Sequence, residues 1–297
     1  METFPYDRSA LLTLDDSEYV LDLERFVGSA YDSDTADGDV TTEALSLREF
    51  IETRLIAKSD GVFCGVLEME WLLKRVAPSV QWKLHVSEGA LFMNGDLLVE
   101  FEGNSDELLK VERTLLNVLQ RLCGISTMTA DLVVAADPCR VAATRKTLYG
   151  RLDKRAVAVG GGLTHRLNLG DAPMFKDTHF DGVDRSWERI VEALTTLSSD
   201  LPFVTIEVRK IDRLSELIGR IPSGMPWPIF LLLDNFAPAD LQEALQTIDR
   251  PLNVFFEASG GISADTVSAY SKTGVEVLSV GALTHTVQPA DLSMVWG

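Results

Sequence analysis

From about residue 140 onward, short apolar runs alternate with segments of helical length, and that rhythm limits the folds open to the chain. Phe203–Val208, Pro228–Leu233, Asn253–Glu257 and Glu276–Val280 are short and rich in β-branched or large apolar residues, as buried strands are. Ser186–Leu197, Asp212–Arg220, Pro238–Ile248 and Ser263–Lys272 have the length and pattern of the intervening helices. Strands that recur about every 25 residues with a helix in each gap pair in parallel through right-handed crossovers. The pattern predicts a β/α barrel over residues 131–283, ahead of an open doubly wound sheet.

Residues 1–130 follow another grammar, with strands expected at Val62–Val66 and Gly95–Glu102 and a helix at Glu68–Val76. Ser105 is a natural N-cap, Asp106 and Glu107 follow it, and apolar residues then recur at helical spacing to Leu122. Residues 1 to about 30 read as a solvated, Asp-rich lead-in.

The net charge of −18 argues against nucleic acid and anionic membranes as partners, since both need a positive field. No run of about 18 apolar residues is apparent, so no membrane span is expected. Cys64, Cys123 and Cys139 have no metal-ligand spacing, and the N-terminus lacks a basic start followed by an apolar core, which together predict a reduced, cytoplasmic protein.

A barrel places its active site at the C-terminal ends of its strands. Arg145 and Lys146 follow Arg140–Ala143, His165 and Arg166 follow Ala156–Val159 read as a strand, and then come Lys176, Glu207, Asp234, Ser259 and Gly281. Between Arg140 and Lys176 eight Lys or Arg residues face two acids, Asp153 and Asp171, a local reversal that points to an anionic ligand. Gly260, Gly261 and Gly281 follow the last two strands, where backbone amides can close on a phosphate. Glu207 and Asp234 suit Mg²⁺, which takes one or two carboxylates plus substrate oxygens, or an ion pair with Lys146 or Lys176. Gly160–Gly162 lacks the spacing of a dinucleotide fingerprint, so NAD is not expected.

Taken in order, these blocks resemble the quinolinate phosphoribosyltransferase family: ERTLLN from Glu112 with GIST from Gly124, TRKT from Thr144, GGGLTHR from Gly160, KDTH from Lys176, LDNF from Leu233, and EASGGI from Glu257 with SVGALTH from Ser279. The resemblance begins at Gly38 and runs to the C-terminus. It implies an N-terminal α/β sandwich domain including the dimer-contact helix 105–122, an incomplete seven-stranded β/α barrel, and residues 284–297 packed back on the N-terminal domain. It further implies a homodimer in which Arg113 is supplied in trans. The implied reaction joins quinolinate to 5-phosphoribosyl 1-diphosphate, releasing diphosphate and CO₂ to give nicotinate mononucleotide in NAD biosynthesis.

Mapped by resemblance, Arg113, Arg145, His165, Arg166 and Lys176 hold the quinolinate carboxylates, and Lys146 lies near the diphosphate. Glu207 and Asp234 hold the ribose hydroxyls and Mg²⁺, with Lys146, Glu207 and Asp234 as the catalytic set. Ser259, Gly260, Gly261 and Gly281 bind the 5′-phosphate. The chain departs from the family pattern at Ala143, Tyr149, Thr164, Thr178, Thr205 and Arg209, the last two on the strand face that carries Glu207. The alternatives are a related enzyme for another heteroaromatic acid, a Schiff-base aldolase using Lys176, and a non-catalytic paralogue. His179 and His285 read as structural.

Overall fold

The computed structural model describes residues 4–176, 178, 179 and 187–296. They form two compact units: a parallel-sheet unit of residues up to Arg8, Asp131–Lys146 and Gly162–Ala282, and an antiparallel-sheet unit of Ser9–Ala130, Thr147–Gly161 and the chain from Leu283 onward. This division differs from cuts at residues 130 and 283 in that residues 4–8 belong with the parallel sheet and Thr147–Gly161 with the antiparallel one.

In the antiparallel unit β1 (Phe50–Ala57), β2 (Gly61–Val62), β3 (Gln81–Leu84), β4 (Leu91–Phe92), β5 (Leu97–Asn104) and β12 (Leu292–Trp296) are the strands. The larger sheet has the order β12-β1-β5-β3, and β2 pairs with β4. Alternation explains β1: Thr53, Leu55 and Ala57 are buried while Glu52 and Arg54 point out. The run at Val62–Val66 splits, ending β2 at Val62 and starting the helix Val66–Val76. The helix Ser105–Ala136 continues well past Leu122 and buries Leu108, Val111, Leu115, Leu119 and Leu122. By length and composition it is apolar enough to cross a membrane, as core helices can be, and half of its most apolar window is buried inside the protein.

Ala156–Val159 is not a strand but the last turns of the helix Arg151–Val159. Asp153 decides this locally: fully buried, it accepts from the Thr147 hydroxyl, from the Leu148 and Tyr149 amides at 3.1 Å, and from Arg121 at 2.8 Å, tying down the first turn. Short apolar runs fit a buried helix as well as a strand.

The parallel unit contains β6 (Arg140–Ala142), β7 (Met174–Phe175), β8 (Val204–Val208), β9 (Ile229–Asp234), β10 (Val254–Ser259) and β11 (Val277–Ser279), in the order β6-β11-β10-β9-β8-β7. A parallel bridge also joins Ala142 to Leu163. Helices Trp187–Thr196, Leu214–Arg220, Pro238–Leu245 and Val267–Tyr270 lie in the crossovers. The expected helix start at Ser186, like Asp177 of the KDTH block, lies outside the described residues.

Laid flat, Leu163 and β8 would be five strand spacings apart, on the order of 24 Å. Tyr6 spans them: its carbonyl accepts from the His165 amide at 2.9 Å and the Thr164 hydroxyl at 3.0 Å, while its phenol oxygen lies 3.1 Å from Thr205 Oγ1. The sheet is therefore rolled around Tyr6. Among the described residues this sheet has six laddered strands, and the Leu163 bridge lies outside them. Tyr6, Ala142, Leu163, Phe203, Phe230 and Val277 pack inside the roll.

Candidate active site

A cavity of about 430 Å³ opens in the parallel unit. Thr144, Arg145 and Lys146 reach it from the end of β6, His165 and Arg166 from just past Leu163, and Lys176 from the end of β7. Glu207 comes from β8, Asp234 from β9, Glu257 and Ser259 from β10, and Ser279 from β11. Parallel strands all end on one side, so residues far apart in sequence share one cavity.

Arg166 is its most constrained cation, 5% exposed, with Nη1 donating to the Ala172 carbonyl at 3.0 Å and Nη2 to Met174 Sδ at 3.6 Å. Its Nε is buried and has no hydrogen-bond partner. Burial, and then the like charge of Arg145, hold the guanidinium below its ordinary pKa. A buried, incompletely satisfied cation beside a second one is stabilised by an anion, and a planar carboxylate matches its geometry. Of the eight cations between Arg140 and Lys176, Arg145, Lys146, Arg166 and Lys176 line the cavity. Arg151 instead pairs with Glu18 and Asp22, Arg155 with Glu68 and Glu88, and Arg140 sits 4.3 Å from the ring of Phe4.

Arg209 binds the acidic pair, with Nε 2.9 Å from Glu207 Oε1 and 3.7 Å from Asp234 Oδ2. Asn235 Nδ2 donates to Asp234 at 2.8 Å. Among the described residues no group of three or more His, Cys, Asp or Glu could hold a metal. Two carboxylates do fit Mg²⁺ that draws its other ligands from substrate oxygens and water.

Ser259 lines the cavity, Gly260 and Gly261 turn at φ 96° and 65° directly after it, and Gly281 follows β11. A Cβ on Gly260 would lie 2.2 Å from Asn235 Oδ1, so a side chain is refused by both backbone and space. Arg113 is on the part of the helix Ser105–Ala136 that belongs to the antiparallel unit, with its side chain 60% exposed and Glu112 at 3.9 Å. His179 Nδ1 accepts the Lys176 amide at 2.9 Å.

Residues 39–123 match the N-terminal domain of quinolinate phosphoribosyl transferase, and residues 125–295 match its C-terminal domain. The chain belongs to the quinolinate phosphoribosyltransferase family. Relatives include a probable nicotinate-nucleotide pyrophosphorylase (carboxylating) of Methanothermobacter thermautotrophicus, 34% identical over 88% of this chain and 94% of that protein. Another, of the same name from Bacillus subtilis, is 33% identical over 92% of this chain and 93% of its own. The solved nicotinate-nucleotide pyrophosphorylase of Francisella tularensis superposes with a TM-score of 0.83 at 29% identity, covering 93% of this chain and 96% of that one.

Within this family member, two residues escaped the sequence reading, Glu257 at the cavity and Tyr6 beside it, while the predicted His165 is held by both. Glu257, fully buried, receives hydrogen bonds from Tyr6 and from Ser279. His165 adopts φ 54°; its Nδ1 accepts the Arg166 amide at 2.6 Å and its Nε2 lies 3.4 Å from Glu257 Oε1. His165 thus lines the cavity with both ring nitrogens turned toward protein groups. Tyr6 corrects the reading of residues 1–30 as a solvated lead-in, since it is 0% exposed.

Proposed function

We propose that the chain transfers the phosphoribosyl group of 5-phosphoribosyl 1-diphosphate to quinolinate with decarboxylation, giving nicotinate mononucleotide, diphosphate and CO₂ for NAD biosynthesis. One observation carries this reading: Arg145, Lys146, Arg166 and Lys176 share a cavity with the carboxylates Glu207 and Asp234. That set complements a dicarboxylate beside a phosphorylated sugar.

Arg145, Arg166 and Lys176 bind the quinolinate carboxylates, and His165 packs beside them. Lys146 stabilises the diphosphate as the bond from ribose C1 to its oxygen breaks. The pyridine nitrogen then bonds to the cationic C1, with Glu207 and Asp234 holding the ribose hydroxyls in place. Catalysis here is positioning and electrostatic stabilisation. The 2-carboxylate next leaves as CO₂, its electron pair accommodated by the pyridinium, and a proton takes its place. Glu207 and Asp234 would hold Mg²⁺, which supplies charge neutralisation for the diphosphate. Ser259 and the amides of Gly260, Gly261 and Gly281 cradle the 5′-phosphate.

The exposed Arg113 supports its use in trans in a homodimer. Three buried thiols, Cys64, Cys123 and Cys139, support a reducing compartment, the cytoplasm. The test is diphosphate release and nicotinate mononucleotide formation from 5-phosphoribosyl 1-diphosphate with Mg²⁺, using quinolinate or nicotinate as acceptor. Turnover with quinolinate alone is expected; turnover with nicotinate alone, or with neither, overturns the reading.

A further inference from the structure

Glu257 presents a problem of charge. It is a fully buried carboxylate at a cavity that gathers cations, and no Lys or Arg lies within ion-pair distance of it among the described residues. Its partners are the hydroxyls of Tyr6 and Ser279, with His165 Nε2 at 3.4 Å. Arg166 lines the same cavity with its Nε unpartnered. A carboxylate and a guanidinium that line one cavity attract each other, and an Arg166 paired to Glu257 would offer fewer N–H donors to an anionic substrate.

Glu257 is bound instead by Tyr6. Besides its bond to Glu257, its ring lies 4.1 Å from that of His165, inclined at 30°, and packs 4.0 Å from Phe230 and 4.4 Å from Phe203. Its carbonyl accepts the His165 amide at 2.9 Å, holding a non-glycine residue at φ 54°, a conformation that persists only when its surroundings impose it. Tyr6 therefore fixes the backbone of His165 and occupies Glu257 at once. It also lies outside residues 39–295, the span matched to the family.

We propose that Tyr6 is a positioning residue of this site: by occupying Glu257 and bracing His165 it keeps the guanidinium of Arg166 available to the substrate carboxylate. The proposal rests on the quinolinate reading above and names a residue that acts through others. Removing the phenol oxygen frees Glu257 to turn to Arg166, so the effect falls on acid binding rather than on the chemical step.

The experiment is calorimetric titration of quinolinate into the full chain, with steady-state kinetics alongside, for wild type, Tyr6→Phe, Ser279→Ala and Tyr6→Phe/Glu257→Gln. Tyr6→Phe is expected to weaken quinolinate binding and raise its KM about tenfold, the size of one buried hydrogen bond. kcat and the KM for 5-phosphoribosyl 1-diphosphate should stay within about twofold. The double variant should recover most of the affinity, because the neutral amide introduced by Glu257→Gln attracts Arg166 far less than a carboxylate does. Ser279→Ala removes the other hydroxyl donor while leaving Tyr6 packed, and should shift affinity in the same direction if Tyr6→Phe fails to fold. Unchanged quinolinate affinity in a folded Tyr6→Phe, even with lowered thermal stability, overturns the proposal, as does a double variant as weak as the single one. Wild type that neither binds nor consumes quinolinate sinks the functional reading instead, and is recognised before any variant is made.

Discussion

Each unit buries a glutamate beneath a tyrosine, and the two are neutralised differently. In the antiparallel unit Glu68 is fully buried, receives the Tyr19 phenol and ion-pairs with Arg155 at 3.0 Å. Burial still holds its carboxyl above the ordinary range against the pull of Arg155. In the parallel unit Glu257 receives the Tyr6 phenol but meets hydroxyls and an imidazole instead of a guanidinium. Both phenols are pushed up, first by burial and then by the neighbouring carboxylate. A buried acid that captures an arginine is neutralised locally, whereas one satisfied by neutral donors leaves nearby arginines for a ligand.

The contrast is broken most directly at the arginines. Arg166→Met should lower kcat/KM for quinolinate about a thousandfold, the cost of an unpaired buried substrate charge. Stability in urea should hold or rise, because a guanidinium destabilised by burial and by Arg145 is gone. Arg155→Met should do the reverse, destabilising the protein by about 3 kcal/mol while kcat/KM stays near wild type, since Glu68 is left buried and alone. Should Arg155→Met cost activity without stability, the division between structural and ligand-facing cations fails.

Glycines sharpen the same distinction. Gly260→Ala should raise the KM for 5-phosphoribosyl 1-diphosphate about thirtyfold through strain in the turn after Ser259. Gly160→Ala, whose Cβ would lie 2.4 Å from the Ser126 carbonyl, should show up as a lowered melting temperature with KM unmoved. The smallest effect is expected at Arg209. Because its exposed guanidinium competes with a cation for Glu207 and Asp234, Arg209→Ala should tighten Mn²⁺ binding, read by electron paramagnetic resonance, about fivefold.

The strands from 203 onward were legible because each is a short apolar run with its polar residue at the end, and Glu207 and Asp234 fell where the pattern put them. Arg145, Lys146, Arg166 and Lys176 were legible as a charge reversal, although that signal also swept in Arg151 and Arg155, whose partners lie more than 60 residues away in Glu68 and Glu88 or in Glu18 and Asp22. Ala156–Val159 misled because an apolar run of four residues is too short to show whether its period is that of a helix or a strand. Tyr6 had no pattern around it to read. Its trace was indirect: Thr164 and Thr205, two departures from the family pattern, both hydrogen-bond to it.

The bond between Tyr6 and Glu257 joins residues 251 apart in the chain. On a ribosome adding about 5–20 residues per second, the two are made on the order of tens of seconds apart. For that interval an aromatic residue destined for the centre of the roll has no roll to enter, and β10 does not yet exist. The packing around Tyr6 thus joins some of the first described residues to a strand made late, so it forms only after most of the chain has been synthesised.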